Sequence, residues 1–161
     1  MMVEKFYPVS EESYKEQLAR LRFCEVQRRT EIAADIERAR EFGDLSENAE
    51  YKAAKDDYSK NEQEIVDIQA RLEKLQILKP EDIDTSVVGI GTKVLTTDMQ
   101  TKIQTEYKIV TTYEVNPQFP EKISDESPKG RILLGKKVGE IARLQLANGM
   151  KKEFKIEKIS K

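Results

Sequence analysis

The 161-residue chain has no histidine, no tryptophan and a single cysteine, and Gly43 is its only glycine before residue 89. Each shortage excludes something. Without histidine the commonest general base and metal ligand is missing, so any chemistry must run through carboxylates. A lone thiol, Cys24, builds neither a disulfide framework nor a cysteine metal cluster, and it reads as a small half-buried helix residue. No window approaches 18 consecutive apolar residues and the N-terminus has no signal-peptide core, so a cytoplasmic protein without membrane contact is expected. Aromatics are 7% and charged residues 36%. That is too little apolar material for one thick core, but enough for a two-helix arm and a compact domain.

Charge narrows the reading further. The net charge is −2, so no overall basic field draws the chain to nucleic acid. Residues 1–79 hold 14 basic and 18 acidic side chains, and residues 80–161 hold 14 and 12. Any RNA contact must be local, or made inside a partner.

What is present centres on Glu41 to Tyr51. Gly43 sits where a long helical pattern has to stop, and glycine suits the left-handed residue that ends a helix. Asp44, Leu45, Ser46 and Glu47 then give start signals for a second helix. The stretch reads as the tip of a helical hairpin, with acids at 41, 44, 47 and 50 and no base among them. The first helix starts near Ser10 or Glu11 and runs to about Phe42, with Tyr14, Leu18, Leu21, Ile32, Ile36 and Ala39 at helical spacings. The second, about 46–78, places Tyr51, Tyr58, Ile65 and Leu72 at one seam position and Ala54, Asn61, Ile68 and Leu75 at the other. Phe42, Leu45 and Tyr51 are expected to pack inside the bend, and Asn48 to brace it.

Lys79-Pro80 ends the helical half. Val87–Leu95, Thr105–Val115, Ile141–Leu146 and Glu153–Ile159 carry strand character, Asn148-Gly149 is a hairpin turn, and Ser127-Pro128 opens a short helix. The fold class is α+β: an antiparallel coiled-coil arm over 1–79, then a small antiparallel β-sheet domain with a short helix over 80–161.

Asp44 and Glu47, three residues apart, offer two hard oxygen ligands that suit Mg²⁺. The same spacing serves as a capping box.

The run from Gly43 through Tyr51, with Lys52-Ala53-Ala54-Lys55 after it, resembles the signature of the Gre family of bacterial transcript cleavage factors. A second match covers Ile123 to Arg131 and then Leu133-Leu134-Gly135-Lys136, so the resemblance spans essentially the whole chain. It implies an FKBP-like second domain and a monomer that docks on RNA polymerase. The tip would enter the secondary channel, where Asp44 and Glu47 help hold a Mg²⁺ shared with the polymerase active site. The backtracked RNA 3′ end is then cut by the polymerase itself, so the chain is no free-standing nuclease. Glu126, Ser127 and Pro128 match the loop that grips the channel rim, although family members often carry Asp or Asn where Glu126 stands. Arg40, Lys52 and Lys55, with Arg28, Arg29 and Arg38, could face RNA phosphates. An ordinary solvated helix face reads the same way. The acidic balance fits the GreA-type branch, which has the smaller basic patch.

Other readings differ in class. A channel-occupying inhibitor shares the shape but has no need of the acid pair. A peptidyl-prolyl isomerase rests on fold analogy alone, and the tryptophan of that pocket is absent. A coiled-coil chaperone would want apolar tips.

Overall fold

A computed structural model describes residues 5–44 and 47–161. In chain order the elements are β1 (Tyr7–Val9), α1 (Glu11–Arg22), a π-helical segment (Phe23–Arg28), α2 (Arg29–Arg40), α3 (Ala49–Lys74), β2 (Leu75–Ile77), β3 (Lys93–Asp98), β4 (Gln104–Val110), β5 (Lys122–Ser124), α4 (Pro128–Leu133), β6 (Ile141–Gln145) and β7 (Lys151–Ser160). Single 3₁₀ turns lie at Pro80–Asp82 and Thr112–Glu114. The chain divides into two compact units. One is Tyr14–Leu75; the other joins residues 5–13 to Gln76–Lys161. A cut at residue 79 therefore assigns to the arm a leading segment that packs with the β-rich unit.

The helical unit is held by a narrow seam. Leu21, Cys24, Ile65 and Ile68 are buried together, with Phe23 and Leu72 against them. Leu75, Asn61 and Ala54 continue the expected stripe. Tyr58 does not: it is 50% exposed. Its hydroxyl needs a polar partner or water, which an apolar seam does not offer. The first helix is interrupted by the π turn, inside which Cys24 is fully buried. There the Asn61 Nδ2 donates to the Cys24 carbonyl at 2.9 Å. A side chain bonding to a helix carbonyl from across the seam is a recognised cause of a break in helical regularity. Arg20 clasps Glu64 at 2.6 and 3.1 Å, and Arg29 clasps Glu62 at 2.8 and 2.9 Å, both bidentate across the hairpin. Exposed pairs of this kind add little stability because water and salt screen them, but the fork geometry helps fix which residues face each other. At about 1.5 Å per residue, the 26 residues of α3 extend for roughly 39 Å.

In the β-rich unit the sheet order is β5-β4-β3-β7-β6. β3 pairs antiparallel with β4 and with β7, with an irregularity between Leu95 and Thr96 on the β7 side. β6 and β7 are antiparallel as well, joined through Asn148-Gly149, where Gly149 has φ +82° and Leu146 N–H donates to Met150 O at 2.8 Å. β5 runs parallel to β4, so the sheet expected to be wholly antiparallel is mixed. Val88, Val94, Ile109, Leu133, Ala142 and Ile156 form the core, and Leu133 brings α4 onto it. Strand β3 starts later than the run from Val87 suggests, because Gly91 takes φ +91° and turns the chain before Lys93. β1 and β2 form a separate two-stranded sheet. Among the described residues no helix is long and apolar enough to cross a membrane.

Candidate functional site at the hairpin tip

Helix α2 stops at Arg40. Glu41 N–H donates to Arg38 O and Phe42 N–H to Ala39 O, both at 3.2 Å, and Gly43 then takes φ +106°. Only glycine adopts that conformation without strain. The far side of the tip is organised by one residue, Asn48. Its Oδ1 accepts from Tyr51 N–H at 3.0 Å and caps α3. Its Nδ2 reaches back to the Ala39 carbonyl at 2.6 Å and ties the two helices together. The brace expected of Asn48 is thus present in both directions.

This corrects the capping alternative for the acid pair. Helix α3 begins at Ala49, three residues later than the start signals suggest, and its cap is Asn48 rather than Asp44 or Glu47. Asp44 and Glu47 both precede the helix and are exposed, so a shared helix face is not what relates them. Glu41 and Glu50 are exposed too, and Glu50 lies in the first turn of α3, where the helix dipole favours an acid. Leu45 and Ser46 lie outside the described residues. Phe42 is corrected as well: it is 73% exposed. Packing inside the bend is expected of it, but the helical seam ends with α2 at Arg40 and the ring stands beyond it. Tyr51 is half-buried, with Lys55 Nζ 5.5 Å from its ring centre.

The basic residues of the arm fall into two groups. Arg28 pairs with Glu31 and Asp57, Arg29 with Glu62, and Arg38 with Asp35. Arg40, Lys52 and Lys55 are exposed and have no ion-pair partner among the described residues. No group of three or more acid, cysteine or histidine side chains that could hold a metal occurs among the described residues. Two carboxylates are a partial ligand set for Mg²⁺, which takes six oxygen ligands in octahedral geometry and keeps several of them as water.

In the β-rich unit, the Glu126-Ser127-Pro128 loop is tightly bonded. Ser127 Oγ caps α4 by accepting from Gly130 N–H at 3.1 Å, and donates to Ser124 O at 2.6 Å. Pro128 occupies the first helical position, where its missing N–H is not needed. Glu126 accepts from Lys5 Nζ at 3.0 Å and from Thr112 Oγ1 at 3.3 Å. The Lys5 hydrogen bond and charge hold its carboxyl below the usual carboxylate range.

The family model for the transcription elongation factor N-terminal region matches residues 7–77, and the model for the GreA/GreB C-terminal region matches 80–161. This chain belongs to the GreA/GreB family of transcription elongation factors. It is 41% identical to the transcription elongation factor GreA of Macrococcus caseolyticus over 160 residues, covering 99% of this chain and all of that one. Against the factor of the same name from Alkaliphilus oremlandii it is 38% identical over the full length of both. A solved GreA factor homolog 1 (Gfh1) from Thermus thermophilus is 26% identical, spans 98% of this chain and all of its own, and has a TM-score of 0.42. Both GreA/GreB family regions are present in the order the two sequence matches indicated.

Proposed function

We propose that this GreA/GreB-family factor places the tip of its hairpin in the secondary channel of RNA polymerase and stimulates hydrolysis of the 3′ end of backtracked RNA. The observation that supports this reading best is the division of labour at the tip. Asn48 caps the helix and ties the turn, while Asp44 and Glu47 stand exposed before it. Two acids that do not cap the helix suit a role towards a partner.

In this reading the two carboxylates contribute oxygen ligands to a Mg²⁺ otherwise held by the polymerase. The ion, when bound, supplies Lewis-acid stabilisation of charge at the attacked phosphate. Asp44 and Glu47 also accept hydrogen bonds from water and so orient the nucleophile. In this reading the polymerase supplies the remaining ligands of the ion, and the chain acts as a factor rather than as a free-standing nuclease. Arg40, Lys52 and Lys55 counter phosphate charge, and Glu126, Ser127 and Pro128 contact the channel rim. The hydroxyl of Ser127 already serves α4, so its contribution to the rim is to shape the loop.

The test is a cleavage assay on halted, backtracked complexes in varied Mg²⁺. Asp44→Asn keeps the size and removes the charge; cleavage should fall by roughly a hundredfold with the melting temperature unchanged. Wild-type rates from that variant would remove Asp44 from the reaction.

A further inference from the structure

Phe42 is the most exposed large apolar side chain among the described residues, and it sits two positions from Asp44. Single exposed hydrophobes are ordinary on protein surfaces; three features set this one apart. It is aromatic. Its backbone is held, because its N–H bonds to the Ala39 carbonyl, which also receives the Asn48 Nδ2. Its surroundings are acidic: Glu41, Asp44, Glu47 and Glu50 are all exposed. The three exposed basic residues Arg40, Lys52 and Lys55 are outnumbered by these four acids, so charge alone holds RNA only weakly there. A ring face suffers less from this conflict, since a base is neutral and its stacking on an aromatic tolerates any sequence.

We propose that Phe42 is a positioning residue that stacks on an unpaired base of the extruded RNA 3′ segment and steadies the strand beside Asp44 and Glu47. This rests on the cleavage reading above and adds to it a specific RNA contact. The ring takes no part in bond making. It limits the movement of the strand that the carboxylates must meet.

The experiment uses the full-length factor with halted, backtracked polymerase complexes whose extruded nucleotides either carry purines or are abasic. Wild type, Phe42→Ala, Phe42→Leu, Phe42→Trp and Asp44→Asn are compared at saturating factor. Phe42→Ala and Phe42→Leu should slow cleavage of the purine-bearing RNA by about tenfold, the scale of losing one stacking ring, and leave cleavage of the abasic RNA as wild type has it. Phe42→Trp should restore the purine rate. Equal slowing on both RNAs would mean that the ring touches the polymerase, and no slowing on either would mean that it touches nothing; each overturns the proposal. Absence of cleavage by wild type on any RNA would overturn the parent reading together with this one. Wild-type cleavage lost in Asp44→Asn but untouched in Phe42→Ala would sink the stacking contact alone.

Discussion

At the scale of single residues, two positions carry more of the fold than their size suggests. Asn48 makes two hydrogen bonds at once, one within α3 and one to the Ala39 carbonyl. Asn48→Ala removes a cap and an interhelical tie, and should destabilise the hairpin by about 1 to 2 kcal/mol, read as a lower denaturation midpoint. Asn48→Asp keeps the cap but loses the donor to Ala39, and should fall between the two. Gly130 is the other. A Cβ there would overlap the carbonyl oxygen of Ser124, which is backbone fixed by β5 and by the Ser127 hydroxyl. Gly130→Ala should therefore cost on the order of 1–3 kcal/mol through overpacking, measured by thermal unfolding. Sequence alone does not reveal this, because the glycine has an ordinary φ and the clash comes from an oxygen outside the helix.

At the scale of elements, the hairpin was largely legible and the sheet only partly so. The stripe Ala54, Asn61, Ile65, Ile68, Leu72, Leu75 follows from heptad spacing, which is a local signal. The π turn is not local: it accompanies a bond from Asn61, 37 residues away, and no period in Phe23 to Arg28 announces it. β5 is three residues long and pairs parallel with β4, a non-local match that alternation within three residues cannot show. The same limit applied at the tip, where spacing offered Asp44 as a cap and the tertiary tie through Asn48 moved the start of α3 to Ala49.

The cross-hairpin ion pairs give the arm a pH response. The Arg20 hydrogen bond holds the Glu64 carboxyl below its ordinary value. Its contribution is therefore fully present above the usual glutamate range, near pH 4.5, and is lost as pH falls through the lowered folded value. The stability of Tyr14–Leu75 should decline below about pH 4.5, and Glu64→Gln should flatten that decline. An unchanged acid slope in Glu64→Gln would show that the pair contributes nothing. Because the pair is exposed, raising salt should shrink the effect.

At the scale of the whole molecule, each unit has its own buried cluster, Leu21 with Cys24, Ile65 and Ile68 in one and Val88 through Ile156 in the other. The two destabilising changes should therefore report on different amides. In hydrogen exchange on the intact chain, Asn48→Ala should speed exchange within Tyr14–Leu75, while Gly130→Ala should speed it in the sheet of Lys93–Ser160. Faster exchange everywhere from either change would show one cooperative body instead of two.

The two hydrogen bonds made by Asn48 involve no charged group. Because the side chain that shapes the bend is a neutral amide, this tie offers nothing for acid to protonate or for salt to screen, so it should outlast the Arg20–Glu64 clasp as either is raised.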